Sequence, residues 1–406
     1  MPNVQPFKAL VYSEKNRNDL SDLISPPYDV LSHEQFLAMK AKNKFQSVRL
    51  CIAEDSADPD RYKKMKNLLG EWKQAGVMTH QSQPAFYLIE ERYTEGGKSS
   101  TRIGFVGLLE TSPFPEGKVL PHEHTLSGPK KDRLELIQTM RAEMSQIFLC
   151  YQDPTLTLEK IYDSVKSTTP LMVCEDPQSI HRRVWPLTDA VQVKAIQNLL
   201  ADKKVLIADG HHRYETALAF RDQSKYVQCY FTNLNTPGFS IRPIHRLFTL
   251  PPQLSTDAFL TQLKQKFEVT PWNEPISLEA LMRLRSEKRM ALICSIAATK
   301  QNFLLTQTKK TEKDEEIFAI HRDIFEGILS WDVSSLAKGT IQYEHETAAF
   351  EKTLTRIENG IGLFLPPTDL NVVMRLAEQG ERMPQKSTFF YPKLASGLIN
   401  LDLDCY

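Results

Sequence analysis

Val205-Leu206-Ile207-Ala208-Asp209-Gly210-His211-His212-Arg213-Tyr214-Glu215-Thr216 is the stretch on which the reading of this chain turns. Its apolar start predicts a short buried strand, Asp209-Gly210 breaks that strand in a sharp turn, and Arg213 to Ala219 suit the opening of a helix. A chain that passes from strand through glycine into helix leaves the first helical N–H groups without intrahelical acceptors. The helix dipole adds positive potential at the same point. Such a turn attracts anions, phosphate among them. Gly210, His211 and His212 would cradle the anion with their backbone, and Arg213 would add a cation. Asp209 is the expected ligand for Mg²⁺, because carboxylates are what that ion prefers. The plainer alternative is a capped turn with solvated polar side chains.

Working outward, 406 residues are too many for one ordinary core, so two domains are expected, 1–250 and 251–406, with Leu250-Pro251-Pro252-Gln253 at the join. Lys plus Arg equals Asp plus Glu, 50 against 50, so no overall field recruits nucleic acid or an anionic membrane. Six cysteines are scattered without a CxxC pair, and Cys150 and Cys294 lie in apolar runs; they read as reduced core residues. The first eight residues carry no hydrophobic signal and no apolar run is long enough for a bilayer, so a cytoplasmic protein is expected.

Strands and helices mix without strict alternation, which predicts an α+β fold. Ser32 with Gln35 forms a capping box for a helix to Lys42, and 49–52 should be a strand. Asp58-Pro59 should start a helix whose inward stripe is Tyr62, Met65, Leu68, Leu69 and Trp72. Glu95-Gly96-Gly97-Lys98 marks a hairpin, Thr368 should cap a helix ending at Gly380, and 315–329 should be helical.

Three further segments carry reactive side chains. In an extended Pro121-His122-Glu123-His124, the histidines face one way and Glu123 the other. The pair could bind a metal with a third ligand from elsewhere, or Glu123 could serve as general base with the imidazoles on phosphate or substrate. Lys130 and Arg133 follow, close enough to meet an anion. Pro26-Pro27 would hold Tyr28 and Asp29 rigidly, as a ligand wall or a plain corner. In Gln385-Lys386-Ser387-Thr388, a cation beside two hydroxyls could bind a carboxylate or terminal phosphate.

These strings carry a resemblance. Pro26-Pro27-Tyr28-Asp29-Val30, Pro121-His122-Glu123-His124-Thr125, Asp132-Arg133-Leu134, the 209–218 string and Arg382-Met383-Pro384-Gln385-Lys386-Ser387-Thr388 fall in the order seen in domain-of-unknown-function family 1015, which the chain resembles along nearly its whole length. Met144-Ser145-Gln146 departs from the family pattern before the following strand. Asp209-Gly210-His211-His212-Arg213 is also similar to the phosphate-binding turn of the ParB/sulfiredoxin-like superfamily, in the version found in free serine kinases. That resemblance implies a ParB/sulfiredoxin-like nucleotide-binding core, a second C-terminal α/β domain, and a 382–393 loop that returns to the site. A sulfiredoxin-like reductase is not implied, because His211 and His212 stand where a reactive cysteine would be needed.

The expected activity is transfer of phosphate from ATP or ADP, with Mg²⁺, to the hydroxyl of a small metabolite, free L-serine first. Phosphoryl transfer asks a protein mainly to hold phosphates, neutralise charge and position a hydroxyl. Two other readings stay open: a metal-dependent hydrolase using His122, His124 and His211 or His212, and a non-catalytic nucleotide sensor; under any of the three, a homodimer is an open expectation. Neither a P-loop nor a protein-kinase glycine loop is present.

Overall fold

Glu95 and Lys98 face each other across the two-residue turn Gly96-Gly97, whose φ angles of 55° and 76° are those a tight hairpin turn demands at both central positions. The strands it joins, Phe86–Glu95 and Lys98–Glu110, are the middle of a nine-stranded sheet in this computed structural model. The structure describes residues 2–125, 127–176, 178–238, 240–285, 289–308, 315–332 and 340–405. It divides into one unit of Met1–Pro121, Thr125–Ser240 and Pro392–Tyr406, and another of His122–His124 and Ile241–Tyr391.

In the first unit the strand order is Val119–Leu120, Val205–Asp209, Ile147–Tyr151, Tyr226–Asn233, Lys98–Glu110, Phe86–Glu95, His181–Leu187 and Met172–Glu175, with Val4–Gln5 added beside Lys98–Glu110. Most pairs are antiparallel; Ile147–Tyr151 runs parallel to Tyr226–Asn233, and Val119–Leu120 parallel to Val205–Asp209. Phe105 stacks on Phe231 at 4.9 Å between centroids in a core that includes Phe86, Leu149, Trp185 and Ile207. Gly104 is required where it stands: a Cβ there would lie 2.1 Å from the Tyr230 ring. That absence lets Tyr230 reach over and donate its O–H to Glu91 Oε2 at 3.1 Å.

The second unit is built on a six-stranded antiparallel sheet, ordered Glu268–Pro271, Gln301–Thr308, Arg289–Ile296, Gly360–Phe364, His245–Thr249 and Gln342–Glu344. Leu247, Ile293, Phe350 and Phe364 fill its core. The molecule is therefore a mixed helix and sheet protein, as the α+β reading expects.

Local signals held where a side chain fixes a backbone group. His33–Lys42 has both bonds of the Ser32/Gln35 capping box, and Arg61–Gln74 buries Tyr62, Met65, Leu69 and Trp72, with Leu68 at the edge. Three expectations fail for identifiable reasons. Residues 49–52 are not a strand, because Gln46 accepts the Val48 N–H at 2.6 Å and starts the 3₁₀ turn Ser47–Leu50. The helix after Asp58 begins only at Arg61, since Asp58 first closes a turn by accepting the Asp60 N–H at 2.9 Å. Asp369, not Thr368, caps Leu370–Glu378; Thr368 instead donates to the Ser387 carbonyl at 2.7 Å. The 315–329 region starts as the α-helix Glu316–Ala319 and continues as a π-helix over Ile320–Glu326. The apolar spacing of 277–286 also predicts a helix, which is present as Leu278–Arg285, while residue 286 lies outside the described residues.

Candidate active site

Val205–Asp209 is buried through its first four residues and ends on Gly210, whose φ of +94° turns the chain directly into the helix His211–Ala219. Tyr214 pins that helix, donating its O–H to the Ser112 carbonyl at 2.8 Å and accepting the Ser112 N–H at 3.0 Å. The first turn of the helix is thus held against the end of the strand, with its dipole at Gly210.

Asp209 lies between two cations. Its Oδ2 accepts from Arg213 Nη2 at 2.6 Å, and its Oδ1 from Lys393 Nζ. Arg213 also donates to the Gln146 carbonyl; burial works against its charge, but Asp209 foremost, with Asp29 next, holds its guanidinium above the usual range. Lys393 is placed by a buried ion network. Glu91 accepts from Arg102 Nε at 2.7 Å and from Arg182 Nε at 2.9 Å, and Arg182 also pairs with Asp176 at 2.5 Å. The two arginines then donate to backbone: Arg102 to the Pro392 carbonyl at 2.8 Å, Arg182 to that of Lys393 at 3.1 Å. Both arginines are 1% exposed.

With an ammonium on one oxygen and a guanidinium on the other, Asp209 does not fit the role of magnesium ligand expected for it. Positive charge at this turn comes from Lys393, Arg213 and the helix start. Among the described residues, the only His, Cys, Asp and Glu group close enough to hold a metal is His80, Asp402 and Cys405, which includes none of His122, His124, His211 and His212. There Lys73 Nζ already lies 2.8 Å from Asp402 Oδ2.

The other expected residues of the first unit surround this turn. His211 is buried and His212 half-buried, its carbonyl accepting from Thr216 Oγ1 at 2.8 Å. Lys130 donates to Glu215 Oε2 at 2.8 Å, and Thr125 to the same oxygen at 2.7 Å. Arg133 lies over the Tyr28 ring at 4.4 Å and donates to the Cys51 carbonyl at 3.3 Å. Burial and the neighbouring Asp29 raise the Tyr28 phenol; Asp29 itself is exposed. Tyr28, Arg133 and Arg213 line one cleft of about 610 Å³, mouth included. Its other walls are mainly aliphatic, with Cys51 and Glu143 among them, and burial raises the Cys51 thiol to about 12.

His122, Glu123, His124, Lys386, Ser387 and Thr388 belong to the second unit, where most of them form one knot. Glu123 bridges Met383 in parallel register, and its Oε1 accepts the N–H groups of Ser387 and Thr388 at 2.9 and 3.0 Å. His122, fully buried, shares a 2.7 Å hydrogen bond between Nε2 and Thr388 Oγ1. His124 is exposed, so the two imidazoles do not present themselves to one ion. Lys386 takes a φ of +57°, and its carbonyl accepts from Arg246 at 2.5 Å.

Lys393 and Glu143 are the residues that sequence reasoning passed over. Each is a lone charge between apolar neighbours, in Pro392-Lys393-Leu394 and Ala142-Glu143-Met144. A charge in such a setting is either buried with a partner or facing a cavity.

The model of the family described as "Protein of unknown function (DUF1015)" matches residues 4–330. The chain belongs to that family. Among solved structures the family member is similar to a free serine kinase in complex with AMP, at 12% identity over 71% of this chain and 90% of that one, TM-score 0.39. It is also similar to a conserved hypothetical protein from Pyrococcus furiosus, at 14% identity over 71% and 94%, TM-score 0.39. A C-terminally truncated SbnI from Staphylococcus aureus gives 11% identity over 72% and 86%, TM-score 0.38. Likenesses this remote say nothing about what this chain binds. No curated protein matches it.

Proposed function

We propose that this chain transfers a phosphoryl group from a nucleotide, ATP or ADP, to the hydroxyl of a small metabolite. The observation that carries the reading is the Gly210 turn: a positive-φ glycine between a buried strand and a helix start, with Arg213 and a buried Lys393 at the same place. Phosphates held at a helix start between two fixed cations are what phosphoryl transfer chiefly requires. Arg213 and Lys393 would share the charge of the transferred group, while Asp209 keeps both side chains aimed. The likeness of Asp209-Gly210-His211-His212-Arg213 to the turn of free serine kinases makes L-serine the first acceptor to try.

The test is nucleotide turnover by purified protein, followed by phosphorus NMR, with ATP or ADP and a panel of hydroxylated amino acids and sugars. Acceptor-dependent appearance of a phosphomonoester supports the proposal. Nucleotide binding with no turnover for any acceptor assigns a regulatory role instead, and absence of nucleotide binding removes the reading altogether.

A further inference from the structure

The cleft of the first unit holds a polar group that phosphoryl transfer leaves unused. Glu143 lies on the short strand Ala142–Glu143, which pairs with Leu401–Asp402, and its side chain lines the cleft. Its Oε2 accepts the Gln228 N–H at 2.8 Å, while its Oε1 has no hydrogen-bond partner among the described residues. Facing it are Arg213 from the helix His211–Ala219, Cys229 from the strand Tyr226–Asn233, and Tyr28, Cys51 and Arg133 from the rest of the wall. Leu136, Ile137, Met140, Met144 and Val227 make much of what remains.

Two features decide what such a cleft accepts. The carboxylates that balance its arginines, Asp132 and Asp209, are not part of its lining, so the fixed charges a ligand meets there are guanidiniums. And Glu143 is a carboxyl in an apolar setting: burial pushes it up to about 8, against the opposing effects of the Gln228 N–H and Arg213. The shift favours the protonated, donating form of this carboxyl over the carboxylate. An amine would have to strip that proton while facing two guanidiniums.

We propose that this cleft binds a small organic acid with an apolar body, its carboxylate on Arg213 beside Glu143, its hydrocarbon against the aliphatic wall. The inference does not rest on the nucleotide reading and needs no nucleotide to be tested. An anion beside Glu143 makes its proton harder to lose, so the complex takes up a fraction of a proton near pH 8, where the empty cleft is about half ionised.

Titration calorimetry of the full chain with benzoate and hexanoate, at that pH in HEPES and in Tris, reads both affinity and proton uptake from the difference in buffer ionisation heats. The expected result is binding of either acid with uptake, uptake abolished in Glu143→Gln with binding retained, and affinity lowered about tenfold or more in Arg213→Met. The amide of the first variant keeps both size and donor, so its fold is safe even if the second variant is unstable. Binding of hexylamine in preference to hexanoate, no heat from either acid at millimolar concentration, or uptake unchanged in Glu143→Gln overturns the proposal.

Discussion

Asp209 balances two cations at once, and that makes its substitution more costly than its neighbours'. Side-chain exposures of 15% for Asp209, 13% for Arg213 and 8% for Lys393 leave little water to screen them. Asp209→Asn strands two positive charges at a helix start that is itself positive, and should cost on the order of 3 kcal/mol of stability in denaturant titration. Lys393→Met leaves Asp209 paired with Arg213 and should cost clearly less, while lowering nucleotide affinity if the proposed function holds. Glu143 gives a second residue-scale expectation, one of sign. Its folded value of about 8 against an ordinary 4.5 means the folded chain holds the proton more tightly across that interval. Stability from this group is complete below the lower value and is lost as pH rises through the upper one. Denaturant midpoints of wild type should therefore fall, relative to Glu143→Gln, between the two ends of that window; parallel profiles would show that the carboxyl is not buried as described. Asp209, Gly210 and Arg213 could be picked from the sequence because their neighbours in the chain define the turn. Lys393 could not, since its partner lies 184 positions away and only the folded sheet brings it near.

Among the elements, the strand–glycine–helix junction is the most sensitive. At Gly210 a Cβ would meet the Arg213 guanidinium at 3.2 Å in a backbone conformation L residues avoid. Gly210→Ala should lower stability by roughly 1–2 kcal/mol and weaken nucleotide binding together, because it disturbs the helix start itself. A loss of stability with unchanged nucleotide affinity would show that the junction is only architectural. The network of Glu91, Arg102, Arg182 and Asp176 behaves differently. It grips backbone carbonyls rather than a ligand, so Arg182→Met should destabilise by about 3–5 kcal/mol, because Asp176 loses its cation and Glu91 is left on Arg102 alone. Elements set by local chemistry were legible beforehand: the capping box at Ser32 and the double-glycine hairpin needed nothing beyond their own residues. The 3₁₀ turn at 47–50 was not, because Ser47-Val48-Arg49-Leu50 is too short to carry a periodicity and Gln46, its cap, also donates to the Ile24 carbonyl 22 positions back.

At the scale of the whole molecule, the sequence disclosed the class of fold but not how the chain is shared between its units. Residues 122–124 and 392–406 each belong to a different unit from their chain neighbours on one side or both, a crossing that no composition change marks. The cysteine reading is testable here. Five of the six free thiols are buried and Cys405 is exposed, so a thiol reagent should titrate one group in the native protein and six in denaturant. More than one fast-reacting thiol would show that the cores open readily. No helix among the described residues is long and apolar enough to cross a membrane.

The last fifteen residues of the first unit deserve to be seen in time as well as in space. Pro392 and Lys393 receive the two buried arginines, Asn400 exchanges hydrogen bonds with Leu10, Ile399 accepts from Gln146 and Gln228, and Leu401 lies beside Glu143. On a ribosome, which delivers a chain from its N-terminus, residues 2–240 must wait for the whole of 241–391 to emerge before these bonds can close. A nascent chain halted before position 392 would lack the Pro392 and Lys393 carbonyls on which Arg102 and Arg182 close, leaving the first unit incomplete until its tail arrives.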